Sequence, residues 1–300
     1  MTILLIILFY ALFVVFNDIE KISIIYAKLD LSYLVIVFGI LMFTIFVRSQ
    51  IQRLLLNSLG IKLTTKQNYV LFLSGLSMII TPIGSGQMIK SYYIEQKYGY
   101  PISKTLPLVF TERFLDFLAI ILLIWITLLF HKFSESLMVV GASTTLIFFV
   151  FLIMKNRKLR NTVQSILQKN EFLAKKLPNI NNFEGSISKI SNSRTFLISS
   201  LLTILVTFLE GFVIYLGFLT FNVEIDYFQS IQLFYTSILL GIFSIIPGGI
   251  GVTEGSFVAL MVRQNFELVT ASSLILFLRL ITIWFVTLLG FIATYFISKK

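Results

Sequence analysis

The stretch Ile245–Ser256, with the sequence IIPGGIGVTEGS, interrupts a long apolar run with one proline and four glycines, and it places Glu254 among them. A regular helix is not expected here, because proline lacks an amide hydrogen and glycine loses much conformational entropy on folding. Inside a bilayer, non-helical backbone occurs only where protein buries it or water lines it. The stretch is therefore the first candidate for a functional site.

The rest of the chain has the composition of a polytopic membrane protein. Of its 300 residues, 57% are hydrophobic and 13% are charged, and the mean hydropathy is +0.93, whereas about 25% of the residues of a soluble domain are charged. The apolar run 3–16 lacks a basic leader and a small-residue cleavage site, which favours a first spanning helix over a cleaved signal. With no cysteine and a single histidine, His131, which we expect at a helix end without a chemical role, the sequence predicts no metal site and no cofactor.

Spanning helices need about 20 mainly apolar residues. The sequence therefore predicts an all-α polytopic membrane protein with six full spans and two broken or re-entrant hairpins. The spans are 2–17, 31–47, 106–130, 137–154, 196–220 and 269–297. The hairpins are 68–100, which breaks at the sequence TPIGSG (81–86), and 228–262, which breaks at the opening stretch.

The connections between these segments differ in charge. One face holds 18 of the 24 basic residues. They lie in segments 48–66 and 155–194, at Lys299 and Lys300, and at Lys90, Lys97 and Lys104. The other face has seven acidic and four basic residues. Basic connections stay in the cytoplasm, so we expect a multi-pass plasma-membrane protein with both termini cytoplasmic. The net charge of +10 then reflects topology and anionic lipid, and no nucleic-acid partner is expected.

This topology predicts an inverted repeat within a single membrane domain, 1–300. The order span, span, hairpin, span fits 2–130 and returns upside down in 137–297, with a cytoplasmic basic connector at 155–195. Arg113 follows Pro82 by 31 positions, and Arg279 follows Pro247 by 32. Inverted repeats with broken helices are common in secondary transporters, where the site lies near the bilayer midplane.

Two basic segments are predicted to form amphipathic helices on the membrane surface. In the sequence RSQIQRLLLNSLG, Ile51, Leu54, Leu55 and Leu59 fall on one face, and Gly60 can end the helix. The 157–177 stretch has a similar pattern, for which a solvated connecting helix is the alternative.

Charged residues inside apolar segments cost at least about 2.5 kcal/mol each, and they are candidates for function. Glu112 and Asp116 share a helix face, and Arg113 either neutralises Asp116 or binds a ligand. Arg279 has no charged neighbour at helical spacing. It needs a partner, for which Glu254 and Glu210 are available, or it holds a lipid phosphate as a free cation.

The two turns can contribute backbone amides. A glycine-rich turn that opens a helix presents unpaired N–H groups and the positive end of the helix dipole, and both attract phosphate. Gly248–Gly251 precede a helix predicted from Ser256, and Gly84–Gly86 precede one predicted from Gln87.

These motifs carry a family resemblance that covers roughly 30–297. Pro82 to Gly86, the hexapeptide TERFLD (111–116) and the nonapeptide PGGIGVTEG (247–255) resemble the lysylphosphatidylglycerol synthase transmembrane family, the flippase half of the bacterial multiple peptide resistance factor. The resemblance implies a domain that moves or holds an anionic or aminoacylated phospholipid or a polyprenyl-type lipid. Where the family commonly has Gly-Glu and then Arg, this sequence has Gly86-Gln87 and then Lys90, which changes the charge of the turn. The chain stops at Lys300, so the aminoacyltransferase domain and its synthase activity are not expected.

We therefore expect a flippase-like protein without enzymatic activity, whose partner is a phospholipid or isoprenoid lipid. The expected lipid-binding residues are Pro82, Gly84, Gly86, Gln87, Lys90, Glu112, Arg113, Asp116, Pro247, Gly248, Gly249, Gly251, Glu254 and Arg279. One alternative is an ion-coupled small-solute transporter with proton or cation sites at its buried acids. Another is a non-transporting membrane partner of a glycosyltransferase or lipid synthase, docked through segment 155–194.

Overall fold

The computed structural model describes residues 19–27, 29–131, 133–155, 185, 189–190 and 194–299, and these are helical with no strand among them. The helices are α1 (Ile19–Ala27), α2 (Ser32–Ser58), α3 (Thr65–Leu76), α4 (Ile89–Tyr98), α5 (Ile102–Thr127), α6 (Ser134–Lys155), α7 (Arg194–Thr220), α8 (Tyr227–Phe243), α9 (Val252–Arg263), α10 (Leu268–Arg279) and α11 (Val286–Ser298). The predicted span 2–17, the stretch 157–177 and most of the connector 155–195 lie outside the described residues.

Five predicted spans coincide with apolar helices, namely α2, α5, α6, α7 and the rod formed by α10 and α11. Among the described residues, α2, α7 and the rod Leu268–Ser298 are long and apolar enough to cross a membrane. Many large apolar side chains are exposed along these helices, including Phe43, Phe148, Leu205 and Phe296. Such a surface is stable when it faces lipid. The fold is that of a helical membrane protein.

Helix α2 corrects the prediction of a separate amphipathic helix after residue 47. The helix continues without a break to Ser58, and Ile51, Leu55 and Leu56 are buried in a hydrophobic cluster with Leu71 of α3 and Val206 of α7. These apolar residues fall on one face because they pack against protein rather than against the membrane surface. Gly60 does end the helix, with a φ of 75° and an N–H that donates to Asn57 O at 3.0 Å.

Both predicted hairpins break at their prolines. The first turn, a 3-10 segment Pro82–Met88, separates α3 from α4, and the second turn, Pro247–Gly249, lies between α8 and α9. Helix α4 begins at Ile89 rather than Gln87, because the 3-10 turn extends to Met88. Helix α9 begins at Val252 rather than Ser256, because the Glu254 carboxylate accepts the Gly251 N–H at 2.7 Å and so satisfies a donor at its start.

The helices pack in matched pairs. Helix α2 packs along α7, helix α11 packs against α3, the first arm of the first hairpin, and helix α5 packs against α8, the first arm of the second hairpin. The first and second turns are also in contact with each other. The broken segments of the chain therefore meet between the two hairpins.

The helix ends gather at two ends of the molecule. One end is named here the Asp226 end. There Asp30 N donates to Thr220 O at 3.0 Å, and Gln229 Nε2 donates to Gln264 Oε1. Two charged contacts lie at the same end, His131 at 2.9 Å from Asp226 and Arg263 at 2.5 Å from Glu135. At the other, the Gly60 end, Arg53 donates to Thr65 Oγ1 at 2.8 Å and Lys97 donates to Ile297 O. The contact between Gln229 and Gln264 shows that the second hairpin starts and finishes at the same end.

Candidate functional site

The second turn is built around a buried ion pair. Arg279, the last residue of α10, lies with its Nε 2.7 Å from Glu254 Oε1, and it also donates to Gly248 O. The exposed fractions of Arg279 and Glu254 are 1% and 0%. Of the two acids expected as partners of Arg279, Glu254 is therefore the one it contacts. The pair fastens the second turn to α10 and to the start of α9.

A second buried ion pair lies beside the first turn. Lys90 Nζ contacts Glu112 Oε2 of α5 and donates to Gln52 Oε1 of α2 at 3.0 Å, and Gln52 Nε2 donates to Asn68 Oδ1 of α3 at 3.0 Å. Both Gln52 and Asn68 are fully buried. The lysine stem lies over Gly75, where an added Cβ would come 2.6 Å from Lys90 Cδ. One cation thus links four helices.

A third group of charges includes Arg48, which the sequence analysis assigned to a cytoplasmic connection. Because α2 continues past residue 47, Arg48 lies inside the bundle, where its Nε and Nη2 donate to the two oxygens of Glu210 at 2.6 and 2.7 Å. Arg48 also contacts Asp116 Oδ1, while Arg113 lies 2.8 Å from Asp116 Oδ2. Glu210, which lies in α7, is therefore a partner of Arg48. The described ion pair of Arg279 is with Glu254 instead. The apolar residues Ile51, Leu55 and Leu56, which the sequence analysis assigned to a separate surface helix, were the signal that the span continues past Arg48.

The second and third of these groups differ in exposure. The side chains of Arg48, Asp116, Glu210 and Arg113 are 18–28% exposed, whereas those of Lys90 and Glu112 are 1% and 8% exposed. Charged groups inside a membrane domain are expected to face the bundle interior or a water-filled cavity. The third group therefore forms the accessible part of the site.

The glycines and prolines of the two turns set the backbone conformation, and two of the glycines allow close packing. An added Cβ at Gly86 would come 2.7 Å from Met78 Cβ, and one at Gly249 would come 2.6 Å from Thr253 Oγ1. Pro82 and Pro247 begin their 3-10 segments. Gly248, Gly249 and Gly251 have φ values of 63°, 64° and 88°, which favour glycine. Whether these positions also contact a lipid stays a prediction.

Replacing Arg48 with lysine is expected to lower the free energy of unfolding by about 1–2 kcal/mol, because lysine cannot bind Glu210 through two parallel hydrogen bonds. The loss is not larger, because the pair is partly exposed to solvent. The measurement is thermal unfolding of the purified protein in detergent. Arg53→Lys, on the same helix, is the matched control and should have a smaller effect. Equal losses for the two variants would contradict the assignment of Arg48.

The protein is a polytopic helical membrane protein. Its apolar helices expose apolar surface, its ion pairs are buried, and its two broken hairpins meet at their turns. The family described as "Lysylphosphatidylglycerol synthase TM region" matches residues 2–290. The chain belongs to this family, which confirms the resemblance found in its motifs. Among the described residues, no group of three histidine, cysteine, aspartate or glutamate side chains could hold a metal ion.

Three archaeal relatives are membrane proteins of the UPF0104 group. The protein of Methanocaldococcus jannaschii is 26% identical over 226 residues, which are 74% of this chain and 94% of the relative. That of Methanothermobacter thermautotrophicus is 34% identical over 35% of this chain and 32% of its own length, and that of Pyrococcus horikoshii is 38% identical over 25% and 23%. No solved structure matches the chain.

Proposed function

We propose that this protein is a flippase-like membrane protein that binds and translocates an anionic or aminoacylated phospholipid or a polyprenyl-type lipid. The observation that carries the proposal is the contact between the two turns, each with a buried ion pair beside it. A lipid headgroup needs polar partners inside the bilayer, whereas its acyl chains do not. The turns and the accessible group around Arg113 supply such partners, and the exposed apolar helices leave the chains in lipid.

The matched packing supports an inverted repeat. The last helix of each half, α5 or the rod α10–α11, packs on the first arm of the other half's hairpin, and α2 packs on its counterpart α7. The charges at the two ends agree with opposite orientations of the hairpins. The Gly60 end carries Arg53, Lys62, Lys97 and Lys104 against Glu95, and the Asp226 end carries Asp30, Glu135, Glu224, Asp226 and Glu267 against Arg263. By the positive-inside rule, the Gly60 end faces the cytoplasm. As the charge pattern of the sequence predicts, we propose that both termini are cytoplasmic and that the membrane is the plasma membrane.

In this proposal, translocation is an alternating exposure of the headgroup site. The headgroup enters between the halves near Arg113 and Asp116, passes the two turns and leaves on the other face.

The protein acts without enzymatic chemistry, and its basic connector 155–195 provides a docking surface for a glycosyltransferase or lipid-synthesis enzyme. Co-purification of such an enzyme, lost when the basic residues of the connector are neutralised, is the test of the docking surface.

An ion-coupled small-solute transporter is a second candidate, and one observation favours it. Glu112 Oε1 is buried without a hydrogen-bond partner among the described residues, so it could take up a proton or a cation. Uptake of a solute driven by an ion gradient, without any movement of lipid, would support this candidate and exclude the flippase.

The flippase proposal is tested by reconstituting the protein in vesicles that contain a headgroup-labelled phospholipid and measuring, with an impermeant quencher, how fast the label crosses. Wild-type protein should accelerate crossing over protein-free vesicles. Arg113→Ala should reduce the rate at least about tenfold, since hydrogen bonds to charged groups are strong. Arg53→Ala is the control and should keep the rate. A wild-type rate equal to that of protein-free vesicles would exclude translocation of that lipid.

A further inference from the structure

Several polar atoms around the first turn are buried without a partner. Both amide atoms of Gln87 lack a hydrogen bond among the described residues, and the side chain is 1% exposed. Arg113 Nε and Ser91 Oγ are in the same situation. A buried polar group without a partner costs about 1–3 kcal/mol, and such groups in native proteins call for water, an ion or a ligand. These unpartnered atoms of the first turn could therefore bind a ligand.

The Gln87 amide and the Arg113 guanidinium lie beside the same glycine, Gly84. The position that a Cβ on Gly84 would occupy lies 3.7 Å from Arg113 Nη1 and 3.8 Å from Gln87 Nε2. Gly84 has a φ of 67°, which favours glycine. The two donors therefore lie close enough together for two oxygens of one phosphate group to accept hydrogen bonds from both.

Arg113 has hydrogen-bond donors left for an anion. The charges around it balance, since Arg48, Arg113 and Lys90 face Asp116, Glu210 and Glu112. The two oxygens of Asp116 are shared between two arginines, Arg48 and Arg113, and Glu112 is engaged by Lys90. Arg113 therefore keeps donor capacity that its shared carboxylate does not use, and guanidinium groups match the geometry of phosphate oxygens. Gln87 adds a donor without adding a negative charge.

We propose that Arg113 and Gln87 form a subsite for a phosphate oxyanion at the first turn, and that Gln87 sets its preference for anionic over aminoacylated headgroups. The inference rests on the proposed function, whose site it makes specific. A cationic aminoacyl group beside the phosphate would lie close to Arg113 and Lys90, and the neutral amide of Gln87 offers it no compensating charge. A carboxylate at position 87 would offer one.

The test is native mass spectrometry of the full-length protein in detergent, with phosphatidylglycerol, lysylphosphatidylglycerol or inorganic phosphate added separately. Wild-type protein should retain phosphatidylglycerol in preference to the lysylated lipid. Gln87→Glu should reduce bound phosphatidylglycerol about tenfold and shift the preference toward the lysylated lipid, because hydrogen bonds to charged groups are strong. Gln67→Glu is the matched control: Gln67 is an exposed capping-box residue of α3, where glutamate serves equally well.

The outcomes separate the inference from the function on which it rests. An unchanged lipid preference in both Gln87→Glu and Arg113→Lys, with lipid translocation intact, would overturn the subsite and leave the flippase. Lipid binding that depends on Gln87 in a protein that moves no lipid would support the subsite and exclude the flippase. Binding of inorganic phosphate that depends on Gln87, without retention of either lipid, would support the oxyanion site and overturn the headgroup preference. Thermal unfolding of each variant in the same detergent confirms that the folded protein is compared.

Discussion

Replacing Glu254 with alanine is expected to lower the free energy of unfolding by about 3–5 kcal/mol, because it leaves the Arg279 guanidinium buried without its carboxylate. Arg279 is 1% exposed, so water cannot replace the lost partner without opening the structure. The same change removes the acceptor of the Gly251 N–H at the start of α9. The measurement is thermal or denaturant-induced unfolding in detergent, and we expect the second turn to lose its defined position.

The double variant Glu254→Ala/Arg279→Met is the control for this explanation. It removes both charges and places an apolar side chain in the arginine's space, so its loss should be smaller than the sum of the two single losses by about 2 kcal/mol. Glu224→Ala removes an exposed glutamate and should leave stability unchanged. Additive losses, or an effect of Glu224→Ala as large as that of Glu254→Ala, would contradict a coupled buried pair.

Replacing Gly290 with alanine is expected to cost about 3 kcal/mol or more, because the last helix touches the first hairpin backbone to backbone at this position. A Cβ on Gly290 would come 2.6 Å from Leu76 C and 2.7 Å from Ser77 Cα, and backbone atoms cannot move aside as a side chain can. Thr294 Oγ1, one turn later, lies 3.3 Å from Ser77 Oγ. The rod that carries Arg279 would be pushed away from the first turn, so lipid translocation should fall with stability.

Gly39→Ala is the matched control for this prediction. Gly39 lies within α2, where a Cβ would meet nothing within 4 Å. Alanine is favoured over glycine in a helix by about 1 kcal/mol, so this variant should be as stable as the wild type or slightly more stable. If Gly290→Ala unfolds like Gly39→Ala, the close contact between α11 and the first hairpin is wrong.

The sequence predicts the helix breaks for local reasons, and it limits the acidic partners of Arg279 to two candidates. Proline and clustered glycines prevent a helix wherever they lie, so Pro82 and Pro247 predict both turns without tertiary information. A charge inside an apolar helix requires a partner, and only two acids were available to Arg279. The choice between Glu254 and Glu210 required the structure, because it depends on which helices are neighbours.

The role of Arg48 could not be found from hydropathy alone. A basic residue after an apolar run predicts the end of a span, whereas tertiary packing buries the continuing helix against α3 and α7. The link from Lys90 through Gln52 to Asn68 was missed for a related reason. Neutral amides carry no charge asymmetry, and their contacts join residues that are far apart in sequence.

The most direct test of the account is the side of the membrane on which each hairpin begins. The chain has no cysteine, so single cysteines at the exposed positions Lys62, before the first hairpin, and Glu224, before the second, can be labelled without background. With an impermeant maleimide, Glu224→Cys should react in intact cells, and Lys62→Cys should react only in inside-out vesicles. Labelling of both positions from the same face would contradict the inverted arrangement on which the proposed lipid translocation depends.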